Sequence, residues 1–399
     1  MLSEKFIVLR SREVSAPARG DMGKRTRRAD PYALEASRPV VRLEEIDLTK
    51  RERNDMRRDP NTRAIALPMP MKLIAPVSTG PVPAAPGEQS WGIGAVRALE
   101  SQYDGTGVTV AVLDTGIDAN HPAFSGVDLV HQNYTEEDGS DLHGHGTHCA
   151  GTIFGRDVDG TRIGIARNVR RALIGKVLGE GGGDSSSLAK AIQWAIHGGA
   201  NVISMSLGID FPGYVEYLTQ EKNMKISPAT SMALEEYRAN VNLFTELARL
   251  VEAQAAFTQG AVIVAASGNE SNRPEYEIAV APPAAGTGII AVGALGKSPQ
   301  GLTVAEFSNN QVDISAPGVD ILSARAGTKG LVTMSGTSMA TPHAAGIAAL
   351  WAQRQLEMTG RVDGRALMAQ IIASGTYTPL APGSEEDDVG TGIIQAPVK

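Results

Sequence analysis

A single cysteine in 399 residues, Cys149, excludes an internal disulfide framework and any metal site built from several thiolates. Long apolar runs are also missing. None reaches the ~18 residues of a membrane-spanning helix. At the N-terminus only Phe6 to Leu9 are consecutively apolar, against the roughly 7–15 that a secretory signal needs. The expectation is a cytoplasmic protein with no membrane partner, although non-classical export would leave the same sequence. There is no excess of positive charge: the net charge of −7 argues against a nucleic-acid partner. No strand–GxGxxG–helix stretch and no GxxxxGK loop is present, which removes support for a nucleotide-binding protein.

The charge is unevenly spread. Residues 1–60 hold 15 Lys+Arg against 11 Asp+Glu, and the remainder 22 against 33. An N-terminal piece and a body of opposite sign can attract each other; two ordinary solvated surfaces would look the same.

With 42% hydrophobic residues the chain can bury a core sufficient for one large domain and a small one. Residues 1–75 read as a small α+β unit. FIVLRS, PVVRLEEIDL and TRAIALPMPMKLI have strand character, and TKRERNDMRRD has helical composition, with Thr49 and Glu52 at capping-box spacing. Residues 76–90, with four prolines and no periodicity, read as a linker. From Trp91 to the end, short β-branched runs (GVTVAVLDTG, ANVISMSLG, GAVIVAASGN) alternate with helical stretches such as SSLAKAIQWAIHGG. Near-continuous apolar strands alternating with helices predict an α/β fold, a doubly wound, mostly parallel sheet covered on both faces. An insert at about 209–258 holds a long helix predicted over 227–257, with Leu234, Tyr237, Val241, Phe244, Ala248 and Val251 as its apolar stripe. Core packing is the first reading of this helix; a lid or partner surface is the second.

In open α/β sheets functional groups gather at the carboxyl ends of strands. Those ends deliver Asp114, Ser206 and Asn269, while HGHGTHCAGT and SGTSMATPH put histidines and Ser338 at helix starts. An aspartate, a histidine and a serine are the parts for activating a hydroxyl, because free serine is a poor nucleophile without an oriented base. Taken singly, each has a plainer reading: Asp114 and Asn269 as turn residues, Ser338 as a helix cap.

Together VLDTGID, HGTHCAGT, SLG, AASGN and SGTSMATPH resemble the subtilisin-type serine proteases, over about residues 88–397. The resemblance implies Ser338 as nucleophile, His145 as general base, Asp114 as its orienting carboxylate and Asn269 as oxyanion donor beside the Ser338 N–H. It implies a structural place for His343, while His148 reads as packing within its helix and His143 as loop surface. Ser206, Leu207 and Gly208 would line the first specificity pocket, with Gly181, Gly182 and Gly183 flanking the peptide on its other side, unless that triple glycine is merely a flexible loop. An extended substrate would add between them as a strand. Cys149 would lie close beneath the catalytic imidazole. The N-terminal unit resembles the family's propeptide, an intramolecular inhibitor and folding chaperone, with ALPMPMKLIAP in the cleft and self-cleavage near residues 76–90; a permanent accessory domain is the plainer reading. The implied substrates are proteins or peptides. No cofactor is expected for the chemistry.

Two departures stand out. HPAF puts Ala123 where many relatives have a calcium-binding aspartate, and the following loop reads GRDVDGTRIG, so structural calcium is in doubt there. The EEDD run at 385–388 is a solvated loop or another cation site. A catalytically silent peptide-binding module on the same fold is the competing functional reading.

Overall fold

The computed structural model describes residues 3–14, 38–76, 89–254 and 259–398. Most of the expected linker, and any cleavage point within it, lies outside them.

The N-terminal unit is a three-stranded antiparallel sheet in the order β2-β1-β3, made of β1 (Glu4–Val14), β2 (Arg38–Leu48) and β3 (Thr62–Ala66). Between β2 and β3 lies α1 (Lys50–Arg57), whose start is the predicted capping box: Glu52 N–H donates to Thr49 Oγ1 at 3.3 Å and Thr49 N–H to Glu52 Oε2 at 2.9 Å. Side chains alternate along a strand. Phe6 and Val8 therefore face Leu48, Ile65 and Leu67 in a small core of their own. Ile7 and Leu9, pointing the other way, join the core of the large domain. Past β3, the chain breaks at residues 67–69 and re-enters as β4 (Pro70–Leu73). The single strand predicted over 62–74 is thus two, in two different sheets.

The large domain opens with α2 (Trp91–Ala95), β5 (Thr109–Asp114), β6 (Asp128–Asn133), α3 (His145–Phe154) and β7 (Arg171–Lys176). It continues through β8 (Gly183–Asp184), α4 (Ser185–His197), β9 (Val202–Met205) and β10 (Leu207–Ile209). The insert contributes α5 (Phe211–Gln220) and α6 (Ile226–Gln254). Then come β11 (Val262–Ala266), β12 (Ile290–Ser298), β13 (Gly301–Val304), β14 (Ile314–Pro317) and the hairpin β15 (Ile321–Ala324) with β16 (Leu331–Met334). The last helices are α7 (Thr337–Thr359), α8 (Gly364–Ala373) and α9 (Glu386–Val389).

The central sheet runs β13-β12-β11-β9-β5-β7-β6 with β14 also on β12; every pairing is parallel except β12 with β13. Val110 and Val112 of β5 pack with residues of α3 and α7, and Ala111 and Leu113 pack with residues of α4 and α6. Both faces are covered, as the apolar strands predict.

α6 spans 29 residues, ~43 Å at 1.5 Å per residue. Its buried face differs from the predicted stripe. Phe244, Ala248 and Val251 are buried, but Leu234 is 48% exposed, and the N-terminal half buries Ala229, Ala233, Glu236 and Asn240 instead. The reason is polar. Leu67 N–H donates to Glu236 Oε2 at 3.2 Å, Asn240 Nδ2 donates to Leu67 O at 2.9 Å, and Arg53 of α1 lies 3.7 Å from Glu236. The insert helix is the shelf on which the N-terminal unit rests, and apolar periodicity does not register a polar contact face.

Candidate active site

Asp114 ends β5, His145 begins α3 and Ser338 is the second residue of α7; all three are buried. Neither helix start uses a side-chain cap, since glycines stand there: Gly144, at φ +84°, and Gly336. Ser338 is therefore not a cap. The first turn of α3 is pressed so close that a Cβ on Gly146 would sit 2.2 Å from the Gly116 carbonyl oxygen, which explains a glycine directly after the histidine.

His145 Nδ1–H donates to Asp114 Oδ1 at 2.7 Å, and the same oxygen accepts from Thr115 N–H at 2.7 Å. Asp141, which sequence reasoning missed, ties this corner together. It accepts from the Thr115 hydroxyl at 2.8 Å and from the N–H groups of Gly144 and Thr147, both at 2.8 Å. Its signal was an acidic residue just before a helix start, where exposed N–H groups favour negative charge.

Burial, the largest single influence, pulls the His145 pKa down, but Asp114 and Cys149 together outweigh it and hold the imidazole well above its ordinary value. His148 and His343 have no such partner. Burial takes them down to about 3 and about 4, and each has one ring nitrogen bonded to a backbone carbonyl, Ile321 O at 2.9 Å and Met339 O at 2.8 Å. Both therefore stay neutral and structural, and His143 is exposed, as predicted. Cys149 Sγ lies 3.8 Å from His145 Nδ1 and 3.3 Å from the Ser338 carbonyl; burial raises its pKa.

The groove beside Ser338 is filled by the chain's own β4, which pairs antiparallel with β10 and with β8. Leu207, Gly208 and Ile209 oppose Leu73, Lys72 and Met71. On the other side Gly183 opposes Met71, while Gly181 and Gly182 lie outside the ladder. Gly182 still approaches closely, since a Cβ there would be 2.7 Å from the Met71 carbonyl oxygen, whereas Gly181 faces open space. Ser206 precedes the ladder; its hydroxyl donates to Ser338 O at 3.2 Å.

Where β4 leaves the groove, Ser338 Oγ–H donates to Ile74 O at 2.9 Å, while Asn269 Nδ2 donates to the next carbonyl, Ala75 O, at 3.0 Å. Asn269 Oδ1 accepts from the Thr337 N–H at 2.9 Å and hydroxyl at 2.8 Å, which aims its amide nitrogen at the groove. Asp114 and His145 are joined. The serine hydroxyl is turned to the strap, and His145 Nε2 has no hydrogen-bond partner among the described residues.

The calcium ligands do not fit the loop at 155–164. Arg162 donates through Nε to Gly164 O at 3.2 Å and through Nη2 to Ile165 O at 3.3 Å. Although burial lowers its pKa to about 10, it stays cationic at neutral pH and repels a second cation. Ala123 offers no carboxylate, and its carbonyl accepts from Arg156 N–H at 2.7 Å. At 385–388 the expected loop is largely the short helix α9, with Asp388 paired to Arg273 at 2.6 Å. Among the described residues, the one grouping of His, Cys, Asp and Glu close enough for a metal ion is Asp114, His145 and Cys149 themselves.

Carboxylate, imidazole and hydroxyl at the carboxyl ends of a doubly wound sheet, above a groove that pairs with extended backbone, are the parts of a serine-dependent hydrolase of peptide chains. The profile of the Subtilase family matches residues 105–392. The chain is 35% identical to the thermophilic serine proteinase of Bacillus sp. strain AK1 over 68% of its own length and 59% of that protein's. It is 30% identical to the thermostable alkaline protease of Halalkalibacterium halodurans, covering 85% and 78% of the two chains. With the major intracellular serine protease of Bacillus subtilis strain 168 it shares 34% identity over 70% and 81%. The chain belongs to the subtilase family of serine proteases. The chemistry of that family needs no cofactor.

Proposed function

We propose that the chain is a subtilisin-like endopeptidase, made as a zymogen, in which Ser338 attacks the peptide carbonyl and His145 takes its proton. Asp114 fixes the imidazole tautomer and stabilises the imidazolium. Asn269 and the Ser338 N–H receive the oxyanion. His145 hands that proton to the amine nitrogen as the peptide C–N bond breaks and the amine leaves, and the acyl-serine that remains is hydrolysed by water with His145 again as base. The observation that carries this reading is the 2.7 Å Asp114–His145 bond beside a groove already occupied by a strand.

The same strand supports self-inhibition. Ile74 O meets the nucleophile while Ala75 O meets the oxyanion donor. No single peptide bond engages both. The strap therefore blocks without being cut there, and processing is assigned to residues beyond it. Accordingly, we assign residues 1–75 as inhibitor and chaperone and 91–399 as the catalytic domain. The intact mass of wild-type protein after incubation is expected to fall by the N-terminal segment, and that of Ser338→Ala to stay at full length. Equal masses throughout would refute self-processing.

The silent-module alternative draws on the unpartnered His145 Nε2. Labelling by a fluorophosphonate separates the two: a protease reacts at Ser338 once the strap leaves, and a silent module does not. A cytoplasmic location, suggested by the name of the Bacillus subtilis relative, is tested by cell fractionation.

A further inference from the structure

The strap carries a long cationic side chain into the groove, and the large domain meets it with two carboxylates. Lys72 lies opposite Gly208, two residues before Ile74, whose carbonyl meets Ser338. It borders a largely apolar cavity of about 410 Å³ whose walls include Ile209, Phe211, Tyr237 and Ile278. Its ammonium is 3.1 Å from Asp210 Oδ1 and 3.8 Å from Glu270 Oε1. Neither carboxylate depends on Lys72 for its position. Asp210 caps α5, accepting from Gly213 N–H at 3.2 Å, and Glu270 Oε2 accepts from Asn309 Nδ2 at 2.9 Å.

We propose that Asp210 and Glu270 form a specificity subsite that selects a basic side chain, arginine above lysine, at the substrate position paired with Gly208, which is the third residue back from the cleaved bond when the carbonyl facing Ser338 is the one attacked. This deepens the proteolytic reading above and rests on it. A substrate strand paired to Gly208 presents its side chain where Lys72 now lies. The apolar cavity receives the aliphatic stem and the carboxylates receive the charged head. An ammonium bonds one carboxylate and falls short of the other, whereas a planar guanidinium with five donors can bridge both. Asp210 stands where the chain leaves β10 for the insert, so the insert supplies half of the subsite.

The test takes full-length protein incubated until its mass is constant, with active sites counted by a fluorophosphonate. kcat/KM is compared on peptides that differ only at the third position: arginine, lysine or norleucine, which keeps the stem without the charge. For partly exposed ion pairs the expected preference for arginine over norleucine is roughly three- to tenfold, with lysine between and the gap narrowing as salt is added. In the double variant Asp210→Asn, Glu270→Gln the preference disappears; asparagine keeps the helix cap. Equal rates for arginine and norleucine in wild type, or an unchanged preference in the double variant, overturn the subsite. A chain that is never labelled at Ser338 overturns the proteolytic reading instead. Before processing, Lys72→Met in the full chain is expected to speed labelling of Ser338 and Lys72→Arg to slow it; identical rates count against the subsite.

Discussion

Three histidines are buried on α3 and α7 themselves, and one carboxylate separates them: only His145 has Asp114 beside it. A general base must be neutral. Because the His145 pKa lies above its ordinary value of 6.5, activity is lost as pH falls through that raised value. The acid limb of kcat/KM is therefore expected on the alkaline side of 6.5. An acid limb below 6.5 would contradict the assignment. Asn269→Ala is expected to lower kcat by ~10²–10³, a figure measured on another subtilisin, with Thr337 losing its acceptor as well. For Cys149, 3.8 Å from the imidazole, a mercurial is expected to inhibit the processed enzyme and to spare Cys149→Ala. That Asp114, His145, Ser338 and Asn269 would gather at one site was legible because each sits in a short motif with glycine or small neighbours where a strand or helix begins or ends. Asp141 was not, because its work is hydrogen bonding to a turn three to six residues away, and such a carboxylate looks like any surface aspartate. Three successive glycines likewise read as one strand, although Gly183 alone among them pairs with the strap.

Among the elements, the insert helix shows where hydropathy fails. Its length and its apolar C-terminal half were readable; its docking half was not, since the residues it buries include Glu236 and Asn240. Burial raises the Glu236 pKa, and it is the Leu67 N–H and the nearby Arg53 that hold the carboxylate in place. Glu236→Ala leaves the Leu67 N–H without its acceptor, at a cost of about 1–3 kcal/mol. Because that cost falls on the joined state, labelling of Ser338 in the unprocessed chain is expected to quicken by roughly five- to a hundredfold. An unchanged labelling rate would mean that α6 does not hold the N-terminal unit. Glu236→Gln, which keeps an acceptor oxygen, should lie between.

At the level of the whole molecule, the sheet order followed from alternation of apolar strands and helices, and the N-terminal unit from its strand pattern and capping box. How the two units join was not readable, because β1 presents both its faces to apolar cores and sequence does not say which core belongs to which domain. Stability at the 155–164 loop is expected to be independent of calcium. Arg162→Ala should lower the melting temperature by leaving two carbonyls without their donor, and added calcium should leave the amide resonances of residues 155–164 unmoved; shifts confined to that loop would contradict this.

The pairing of β4 with β8 and β10 has a wider consequence. Much of the recognition there runs through main-chain amides, which every unfolded polypeptide possesses, so a cleft vacated by β4 would be open to extended segments of a sister molecule. If the chain is the zymogen proposed above, the first copies set free would cut those not yet processed. Maturation should accordingly be autocatalytic, with a lag that shortens as protein is concentrated, so that the enzyme's onset in time is governed by crowding among its own copies.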